Sequence, residues 1–595
     1  MGNTMRIYLP ISVHRIFPKG VILLMAKINP RRADLKATVS AFPGLGEEHS
    51  LAEPNAQEIR NFRIRRDGSL EKRAGWYVKH ALPGKVRGFW RGSLDGQEVS
   101  FAVCDEVIYR ILSDGSRTPA GLLETSSRRV RFFLFEDALY AQDGIALRAW
   151  RSSSASFEPI EPYAPLHGYN WHPTACGEIL EQLNLLTPRL RVHYFNSTGT
   201  EVFHLPYPAK SIDLVRADGV TTSYSLGADS VTLTVSGASG KTEIEVAFTR
   251  LYPHALCEQL QKTTGYYLDF EEEKQTLFLF GAPQGYRLFA SFPVDAASML
   301  NYCKLSYPNT DPLYFREQDL LHLGSASLPI TALCRQYDRI LAFSAEEVWS
   351  LYWDKETERR EPIPVLHGVG CMNPDTLALL ENDILLFNTG GLYRLHSTVG
   401  HPDDFAVTRL SSEVTGLLNP SKMTDVLLQA LPSENEIRIR DTADTQGLVW
   451  IRRIDTACWY CFDNVHANLL LQDGTSPAFA AGSSVCVFDR SLSQDNGYPI
   501  SATYQSGYLS FASPETVKRA LRAALCAATQ GDNVRLLLET EQLSREFLLQ
   551  GKQSTTPEVF DLRVALGRFR FLRFRISTAG TQKSLFYRFH LYSNL

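Results

Sequence analysis

The sequence predicts an all-β protein: a β-propeller-like ring of hairpin blades with an inserted β-sandwich and a C-terminal β-sandwich. Short runs of residues alternate between apolar and polar side chains, which is the period of a half-buried strand. Turn dipeptides separate these runs at intervals of roughly 8–12 residues, for example Asp67-Gly68, Asp95-Gly96 and Asp114-Gly115. The chain contains 32 Phe and 25 Tyr but only 6 Met, and aromatic residues favour pleated sheets.

The clearest unit is residues 61–77, NFRIRRDGSLEKRAGWY. Phe62 and Ile64 alternate with Arg63 and Arg65, so the segment begins as a strand. Asp67-Gly68 supplies a hairpin turn because glycine tolerates a positive φ. A second short strand then begins at Leu70. The same pattern of strand, turn and strand recurs along most of the chain, so a ring of four-stranded blades is expected.

Changes in residue pattern divide the chain into six segments. Residues 1–24 precede Met25-Ala26-Lys27, an ordinary translation start, and are expected to be a mis-assigned or disordered extension. Residues 25–60 have little periodicity and predict an extended arm. Between residues 165 and 257, six short strands rich in Thr and Val predict a separate sandwich inserted into the ring. Blades are predicted over 61–164 and 258–497, and the C-terminal sandwich over 498–595, where the Ala-containing run 519–528 is predicted to be a strand.

Composition narrows the class of function. The 61 Lys and Arg residues nearly balance the 65 Asp and Glu residues, giving a net charge of −4. This balance argues against a general nucleic-acid-binding protein, which needs a large positive surplus. No apolar run approaches the ~20 residues needed to cross a bilayer, so no membrane partner is expected. The ten cysteines are scattered, as expected of buried thiols.

Three motifs resemble catalytic or binding sites but lack the required context. Cys458 and Cys461 have the spacing of a redox pair, yet they lie in an aromatic strand-like run. The segment 237–242 ends in Gly-Lys-Thr, but no glycine stands at 235 and a strand follows, so a hairpin turn is predicted. The carboxylates at 271–273, and Asp403 with Asp404, fall at predicted turns. We therefore expect no enzyme, no catalytic residues, no cofactor and no metal.

Basic residues instead gather in clusters that alternate with apolar residues. Ordinary solvated strand faces are one interpretation, and contact with an acidic partner or another subunit is the other. The apolar arm residues Phe42 and Leu45 are further candidates for assembly contacts, against either the same chain or a neighbour. The candidate contact residues are Phe42, Leu45, Arg63, Arg65, Arg66, Lys72, Arg73, Arg568, Arg570, Arg573 and Arg575.

The phrase N-F-x-I-x-x-D-G-S-L-x-K-R-x-G-W at 61–76 resembles the opening of tail and neck proteins of tailed bacteriophages. Further phrases are similar to the same group, the propeller-bearing tubular or nozzle proteins of short-tailed phages (tail tubular protein B-like). They lie at 183–188, 337–343, 346–349, 368–371, 384–388, 390–395, 567–570 and 574–576.

This resemblance implies a ring-forming structural component of a virion, a tail nozzle, tubular or neck protein through which DNA passes during ejection. The implied partners are further copies in a ring, most simply a hexamer, other tail or portal-adaptor proteins, and genomic DNA contacted without sequence preference. The implied location is the virion, after assembly in the host cytoplasm. An alternative is a carbohydrate-binding or carbohydrate-active β-propeller with Trp90, Trp150 and Trp349 as stacking platforms. A non-viral propeller scaffold is a third hypothesis.

Overall fold

The computed structural model confirms the all-β fold class: its described residues form seven four-stranded blades, two of which belong to larger sheets, an inserted sandwich and a C-terminal pair of sheets. It describes residues 25–594 except for 30–31, 48–54, 136–137, 144–146, 160–161, 185–186, 253–264, 272–273, 281–298, 305–313, 315, 317–319, 325–328, 337–338, 355–358, 399–400 and 512–513. The predicted extension 1–24 lies outside these residues. Within them, the only α-helix is the single turn Thr415–Leu418, too short to span a membrane.

Six of the seven blades are built from consecutive antiparallel strands. Blade 1 contains Val86–Leu94, Gln97–Cys104, Val107–Ile111 and Arg117–Leu122. Blade 2 contains Arg131–Phe135, Ala138–Gln142, Leu147–Arg151 and Glu158–Pro159. Blade 3 contains Gly265–Glu271, Lys274–Phe280, Met299–Lys304 and Leu320–His322. Blade 4 contains Ala332–Gln336, Arg339–Phe343, Glu347–Asp354 and Arg359–His367.

The order continues through the second half of the chain. Blade 5 contains Leu377–Leu380, Asp383–Asn388, Gly391–Thr398 and His401–Arg409. Blade 6 contains Val426–Leu431, Glu436–Asp441, Val449–Arg453 and Trp459–Phe462. Short 3₁₀ turns lie beside or within these blades, at Pro374–Thr376, Ser412–Val414, Pro420–Lys422 and Pro432–Glu434.

Blade 7 closes the ring with a strand from the other end of the propeller. Its first three strands are Leu469–Asp473, Ser476–Ala481 and Ser484–Asp489. The fourth is Gly75–Ala81, which pairs antiparallel with Ser484–Asp489 and is called the closing strand here. The first strand of blade 7 also contacts the first strands of blades 6 and 1. Because both ends of the propeller share one sheet, the ring is fastened by backbone hydrogen bonds.

The inserted sandwich occupies residues 166–250, between blades 2 and 3. Its five-stranded sheet contains, in spatial order, Leu166–Trp171, Arg189–Phe195, Glu243–Arg250, Ala209–Ala217 and Val220–Thr221. Its second sheet contains Val202–His204, Thr232–Val235 and Tyr224–Leu226. Tyr194, Phe203 and Phe248 lie in a hydrophobic core that this unit does not share with the blades.

Two large sheets form the C-terminal region and incorporate the beginning of the chain. The first contains Met25–Asn29, Arg32–Val39, Leu585–Asn594, Lys518–Ala528 and Glu558–Arg563, with Phe62–Ile64, Leu70–Lys72 and Arg568–Phe569 beside them. The second continues blade 6 through Glu58–Arg60, Ala502–Gln505, Leu572–Thr578, Asn533–Thr540 and Ser544–Gln550. Gln494–Asp495 and Tyr498–Pro499 add a short ribbon to blade 7.

The N-terminal arm packs on its own chain. Phe42 is 2% exposed and Leu45 is 4% exposed. The Phe42 ring makes edge contacts with Tyr504 and Phe574, with centroids 5.1 and 6.4 Å away. Both arm residues belong to a core that continues through blades 5 to 7 and the C-terminal sheets. Their apolar character is therefore accounted for within one chain.

Two turns predicted from sequence are different structures. The Gly-Lys-Thr segment is not a hairpin turn: a 3₁₀ turn at Ala238–Gly240 connects strands of opposite sheets of the inserted sandwich. Asp403 and Asp404 lie inside the strand His401–Arg409 instead of at a turn. In the first place the flanking strands belong to different sheets, and in the second Asp403 and Asp404 fall at the register shift between the pairs Thr398↔His401 and Ser397↔Phe405.

A buried ion pair positions the closing strand. Arg73, 1% exposed, lies two residues before that strand and donates from Nη1 to Asp495 Oδ1 at 2.7 Å and from Nε to Asn61 Oδ1 at 2.8 Å. Its guanidinium also lies 5.6 Å from the centroid of the Phe462 ring. Asp495 is 3% exposed. Each charge has lost its hydration and depends on the other.

We predict that Arg73→Met and Asp495→Leu each lower the free energy of unfolding by about 3–5 kcal/mol, since each leaves one buried charge unpaired. The double variant should recover much of this loss because neither charge remains. Chemical denaturation followed by tryptophan fluorescence measures the change. Arg535→Met, at a residue whose side chain is 71% exposed, is the control and should change stability by less than about 0.5 kcal/mol. Additive losses in the double variant would contradict the coupling.

Candidate functional site

A deep groove lies where the opening hairpin, Phe62–Ile64 with Leu70–Lys72, meets blades 6 and 7. Two adjoining cavities of about 320 and 540 Å³ form it and share Arg63, Glu434 and Arg490 in their walls. The smaller is called the cationic half and the larger the aromatic half. The groove thus combines a charged compartment with a more apolar one.

The hairpin directs its charged residues into this groove by strand alternation. Phe62 and Ile64 are buried, so the intervening Arg63 points to the opposite face. Arg63 is the cross-strand partner of Glu71. Gly68 makes the turn with φ +79°, and a Cβ there would lie 2.5 Å from that of Ala41.

Eight basic residues and only two acidic residues line the cationic half. The acidic residues are Glu71 and Glu434, and the basic residues are Arg63, Arg65, Arg66, Lys72, Arg73, Arg453, Arg490 and Lys583. Arg65 and Arg66 are exposed at the hairpin turn, and neither forms a salt bridge with a described residue. These two guanidinium groups are available to an anion entering the groove.

The other cations are held by carboxylates. Arg63 Nη2 lies 2.7 Å from Glu434 Oε2 and 2.8 Å from Glu436 Oε1. Arg490 shares Glu434 at 2.8 Å, and Lys583 pairs with Glu71 at 2.8 Å. Through these pairs the long side chains are fixed before any ligand arrives.

Glu436 is the fully buried anchor of this arrangement. Burial opposes its charge, but the charges of Arg63 and Arg438 and hydrogen bonds from Arg438 and Tyr460 outweigh that effect and lower its pKa. Burial, together with Glu436, raises the pKa of Tyr460 well above its usual value. The carboxylate is therefore ionised and the phenol is neutral, so Tyr460 donates to Glu436 at 2.9 Å.

The aromatic half is formed by Tyr77, Phe462 and Phe488. Phe462 and Phe488 are 2% and 8% exposed, whereas Tyr77, on the closing strand, is 37% exposed. The Arg438 guanidinium lies 4.9 Å from the Phe488 ring centroid. The Tyr77 ring is therefore open to a ligand, beside the buried rings of Phe462 and Phe488.

The structure separates the residues predicted from sequence into three groups. Arg63, Arg65, Arg66, Lys72 and Arg73 come together in the groove, although Lys72 and Arg73 are 1% exposed and belong to its floor.

Lys72 Nζ donates hydrogen bonds to Gln582 O at 3.1 Å and to Asp532 at 3.4 Å. Burial lowers the pKa of this amine, although Asp532 offsets part of the effect.

The C-terminal arginines lie outside the groove. Arg573 pairs with Glu539 at 2.6 Å, and Arg575 donates to Gln505 at 2.8 Å. Arg568 and Arg570 are exposed. Phe42 and Leu45 form the third group, in the core. Tyr77, Arg453, Arg490 and Lys583 were missed by sequence reasoning, and only Tyr77 had a local signal, since it is the outward residue of a predicted strand.

The tryptophans proposed as sugar-stacking platforms do not fit that role. Trp150 and Trp349 are each 4% exposed and pack inside blades. Trp90 packs near Phe101, with ring centroids 6.4 Å apart. In blades these side chains fill the space between sheets.

Close to the first strands of three blades, two aspartates converge on one arginine. Arg129, before the first strand of blade 2, reaches Asp375 at 2.9 Å and Asp425 at 2.6 Å, before the first strands of blades 5 and 6. Burial raises the pKa of Asp425, but hydrogen bonds from Thr442 and Arg129 lower it by more. Asp425 is thus an ionised partner of Arg129 and not a proton donor.

The Cys458–Cys461 pair is not a redox site in this fold. Neither cysteine forms a disulfide bond with a described residue. Cys461 is buried, and burial raises the pKa of its thiol to about 12. Its Sγ lies 3.2 Å from Ile59 O. A thiol of this kind is inert at neutral pH.

No protein-family model and no curated protein matches the chain. Solved structures similar to it include an exo-β-1,3-galactanase from Phanerochaete chrysosporium with galactose, at 10% identity and TM-score 0.22, over 72% of this chain and 99% of that one. A structure described as a glycoside hydrolase has 10% identity and TM-score 0.18, over 86% and 99%. Apo AztD from Citrobacter koseri has 10% identity and TM-score 0.27, over 66% and 98%.

The prediction of a structural component of a bacteriophage virion, and with it the tail-nozzle, tail-tube and DNA-ejection roles, is corrected here, since the comparisons give it no support. Carbohydrate-active enzymes are among the similar structures instead. The phrase at 61–76 misled because its residues serve the interior: Asn61, Lys72 and Arg73 are each 1% exposed and fasten the hairpin to distant segments. A sequence pattern of this kind indicates which residues must pack in the interior and does not indicate a function.

We predict that Glu436→Gln lowers the free energy of unfolding by about 3–5 kcal/mol at pH 7, because Arg63 and Arg438 lose their buried counter-charge. Since folding lowers the pKa of Glu436, its stabilisation is present above the unfolded value of 4.5 and is lost as pH falls through the folded value. The difference between wild type and variant should therefore shrink in acid. Thermal melts at pH 7 and pH 4 measure it, with Glu546→Gln, 57% exposed, as the control. A difference independent of pH would contradict an ionised Glu436.

Proposed function

We propose that this protein is a carbohydrate-binding β-propeller whose groove holds an acidic glycan. The observation that carries the proposal is that the two halves of the groove adjoin. One half contains exposed Arg65 and Arg66, which form no salt bridge with a described residue, and the other contains the exposed Tyr77 ring. Acidic sugars present both a face of C–H groups, which stacks on aromatic rings, and a carboxylate or sulfate, which arginine binds with two parallel hydrogen bonds.

The size and rigidity of the groove support the proposal. Cavities of about 320 and 540 Å³ are within the range of small-molecule sites. Arg63, Arg490 and Lys583 are held in place by Glu434 and Glu71, so the walls lose little conformational entropy on binding. Only Arg65 and Arg66 must be ordered by the ligand.

More specifically, we propose that the groove binds the glycan and does not hydrolyse it. Glycoside hydrolysis uses a carboxylic acid with a raised pKa beside a second, ionised carboxylate. The groove carboxylates Glu71 and Glu434 are paired with cations. Hydrogen bonds from Ser491 lower the pKa of the third, Asp489. These three carboxylates therefore suit a role in the charged wall of the groove and not the role of proton donor.

Isothermal titration calorimetry with oligogalacturonate and its fully methyl-esterified counterpart tests the proposal. The two ligands share their rings and differ in charge, so the ester should bind at least ~10-fold more weakly, a difference of about 1.4 kcal/mol. Arg65→Ala with Arg66→Ala should remove the preference for the acidic form. Tyr77→Ala should weaken both ligands. Binding of the acidic form should also fall with salt, since exposed charges are screened over ~10 Å at 0.1 M.

Arg535→Ala and Tyr252→Ala are matched controls, because their side chains are exposed away from the groove. Equal affinity for the charged and esterified ligands, or unchanged binding by the Arg65/Arg66 variant, would overturn the proposed function. Release of reducing ends from the oligomer would overturn binding without hydrolysis.

A further inference from the structure

We infer that the outer face of the C-terminal sheet carries a second, separate binding site for an acidic glycan, centred on Tyr587 and Arg588. The inference rests on the proposed function for the class of ligand but on other residues for the site. A trough of about 440 Å³ lies there, lined by Arg522, Ala524, Cys526, Pro557, Val559, Tyr587, Arg588, His590 and Tyr592. Among the described residues that line it there is no carboxylate, although Asp561 lies at its edge, bonded to Arg522.

Strand register explains the shape of this trough. Ala524 lies opposite His590 on one side and Asp561 on the other, and Cys526 lies opposite Arg588 and Val559. The small side chains of Ala524 and Cys526 thus form a floor between two rows of larger ones. From Arg588 to Tyr592 the row runs about 14 Å along the strand, so the site is elongated.

A β-bulge provides the central feature. The pairing of Lys518–Ala528 with Leu585–Asn594 shifts between Cys526↔Arg588 and Ala527↔Phe586, so Tyr587 is the extra residue. Regular alternation would send Tyr587 and Arg588 to opposite faces, whereas the bulge allows both to line the same trough. Bulges often re-aim side chains beside binding sites.

The same strands contain a second bulge. The shift between Ala520↔Ser593 and Arg522↔Tyr592 leaves Leu521 as the extra residue. Leu521 is 46% exposed, and its neighbour Arg522 is also exposed. The sheet therefore departs from regular pairing at both ends of the trough.

The charges of the trough favour an anion. Arg588 is exposed and forms no salt bridge with a described residue. Arg522 donates from Nε and Nη2 to the two carboxylate oxygens of Asp561, and its guanidinium lies 5.0 Å from the Tyr592 ring centroid. Arg522 is thus a fixed wall, while Arg588 and the half-buried Tyr587 ring are left to bind a sugar carboxylate and to stack on its ring.

Cys526 supplies a local readout. It is a free thiol of intermediate exposure in the floor of the trough. Exposed Cys176, in the inserted sandwich, is an internal reference. We would alkylate the full chain with N-ethylmaleimide, which is uncharged, and follow each cysteine by peptide mass spectrometry. Polygalacturonate at ten times its dissociation constant should slow modification of Cys526 about tenfold and leave Cys176 unchanged.

Variants separate this site from the groove. Tyr587→Ala with Arg588→Gln should abolish the protection of Cys526, whereas Arg65→Ala with Arg66→Ala should leave it intact. Protection retained in the groove variant supports the second site even if the groove binds nothing. No protection of Cys526 in wild type, protection lost in the groove variant, or equal protection by fully methyl-esterified polygalacturonate would each overturn the inference.

Discussion

The buried pairing of Arg73 with Asp495 is the interaction on which the rest of the structure depends. It joins the opening hairpin to the ribbon after blade 7 at the point where the closing strand begins. Asn61 accepts a hydrogen bond from Arg73 and donates one to Ser501 O at 2.7 Å, so the same hydrogen-bond network reaches the C-terminal region. Because the interior has a low dielectric constant, the attraction is strong, and removing either side chain lowers the free energy of unfolding. The propeller, the hairpin and the C-terminal sheets are therefore held in one fixed relation.

The groove depends on that fixed relation. Arg63 and Arg65 come from the hairpin, Glu434 from a turn of blade 6, Arg490 from the end of blade 7, and Lys583 from the C-terminal region. None of these segments brings enough charge alone to hold an anion against water. Once they meet, carboxylates pair with most of the cations, whereas Arg65 and Arg66 form no salt bridge with a described residue. Preorganised walls of this kind reduce the entropic cost of binding.

Local pattern was sufficient for much of the fold. The alternation of apolar and polar residues, together with turn chemistry, predicts the hairpin turn at Gly68, the repeated hairpins of the blades and the strand Lys518–Ala528. Local pattern does not show that Gly75–Ala81 completes blade 7, because its partner strand lies far along the chain.

For the same reason the sequence predicted the hairpin half of the groove but not Arg453, Arg490 or Lys583. A stretch of sequence does not distinguish a Trp that fills a blade, such as Trp150 or Trp349, from one that faces a ligand. Nor does it reveal the bulge at Tyr587, since alternation there looks regular until two strands are paired.

The strand that closes the ring precedes blade 1, so the ring cannot close until the strands of blade 7 have been synthesised. Val78 pairs with Cys486, so the emerging N-terminal strand has no partner until about 400 further residues have been made, at roughly 5–20 residues per second. For tens of seconds the nascent chain exposes an unpaired strand edge, which is a site for association between neighbouring chains on one message. Joining such distant segments also carries a loop-closure entropy that grows only logarithmically with their separation. The inserted sandwich has its own core and can fold during this interval, which shortens the flexible span that must be closed. A chain truncated before blade 7 would keep the edge of Gly75–Ala81 unpaired.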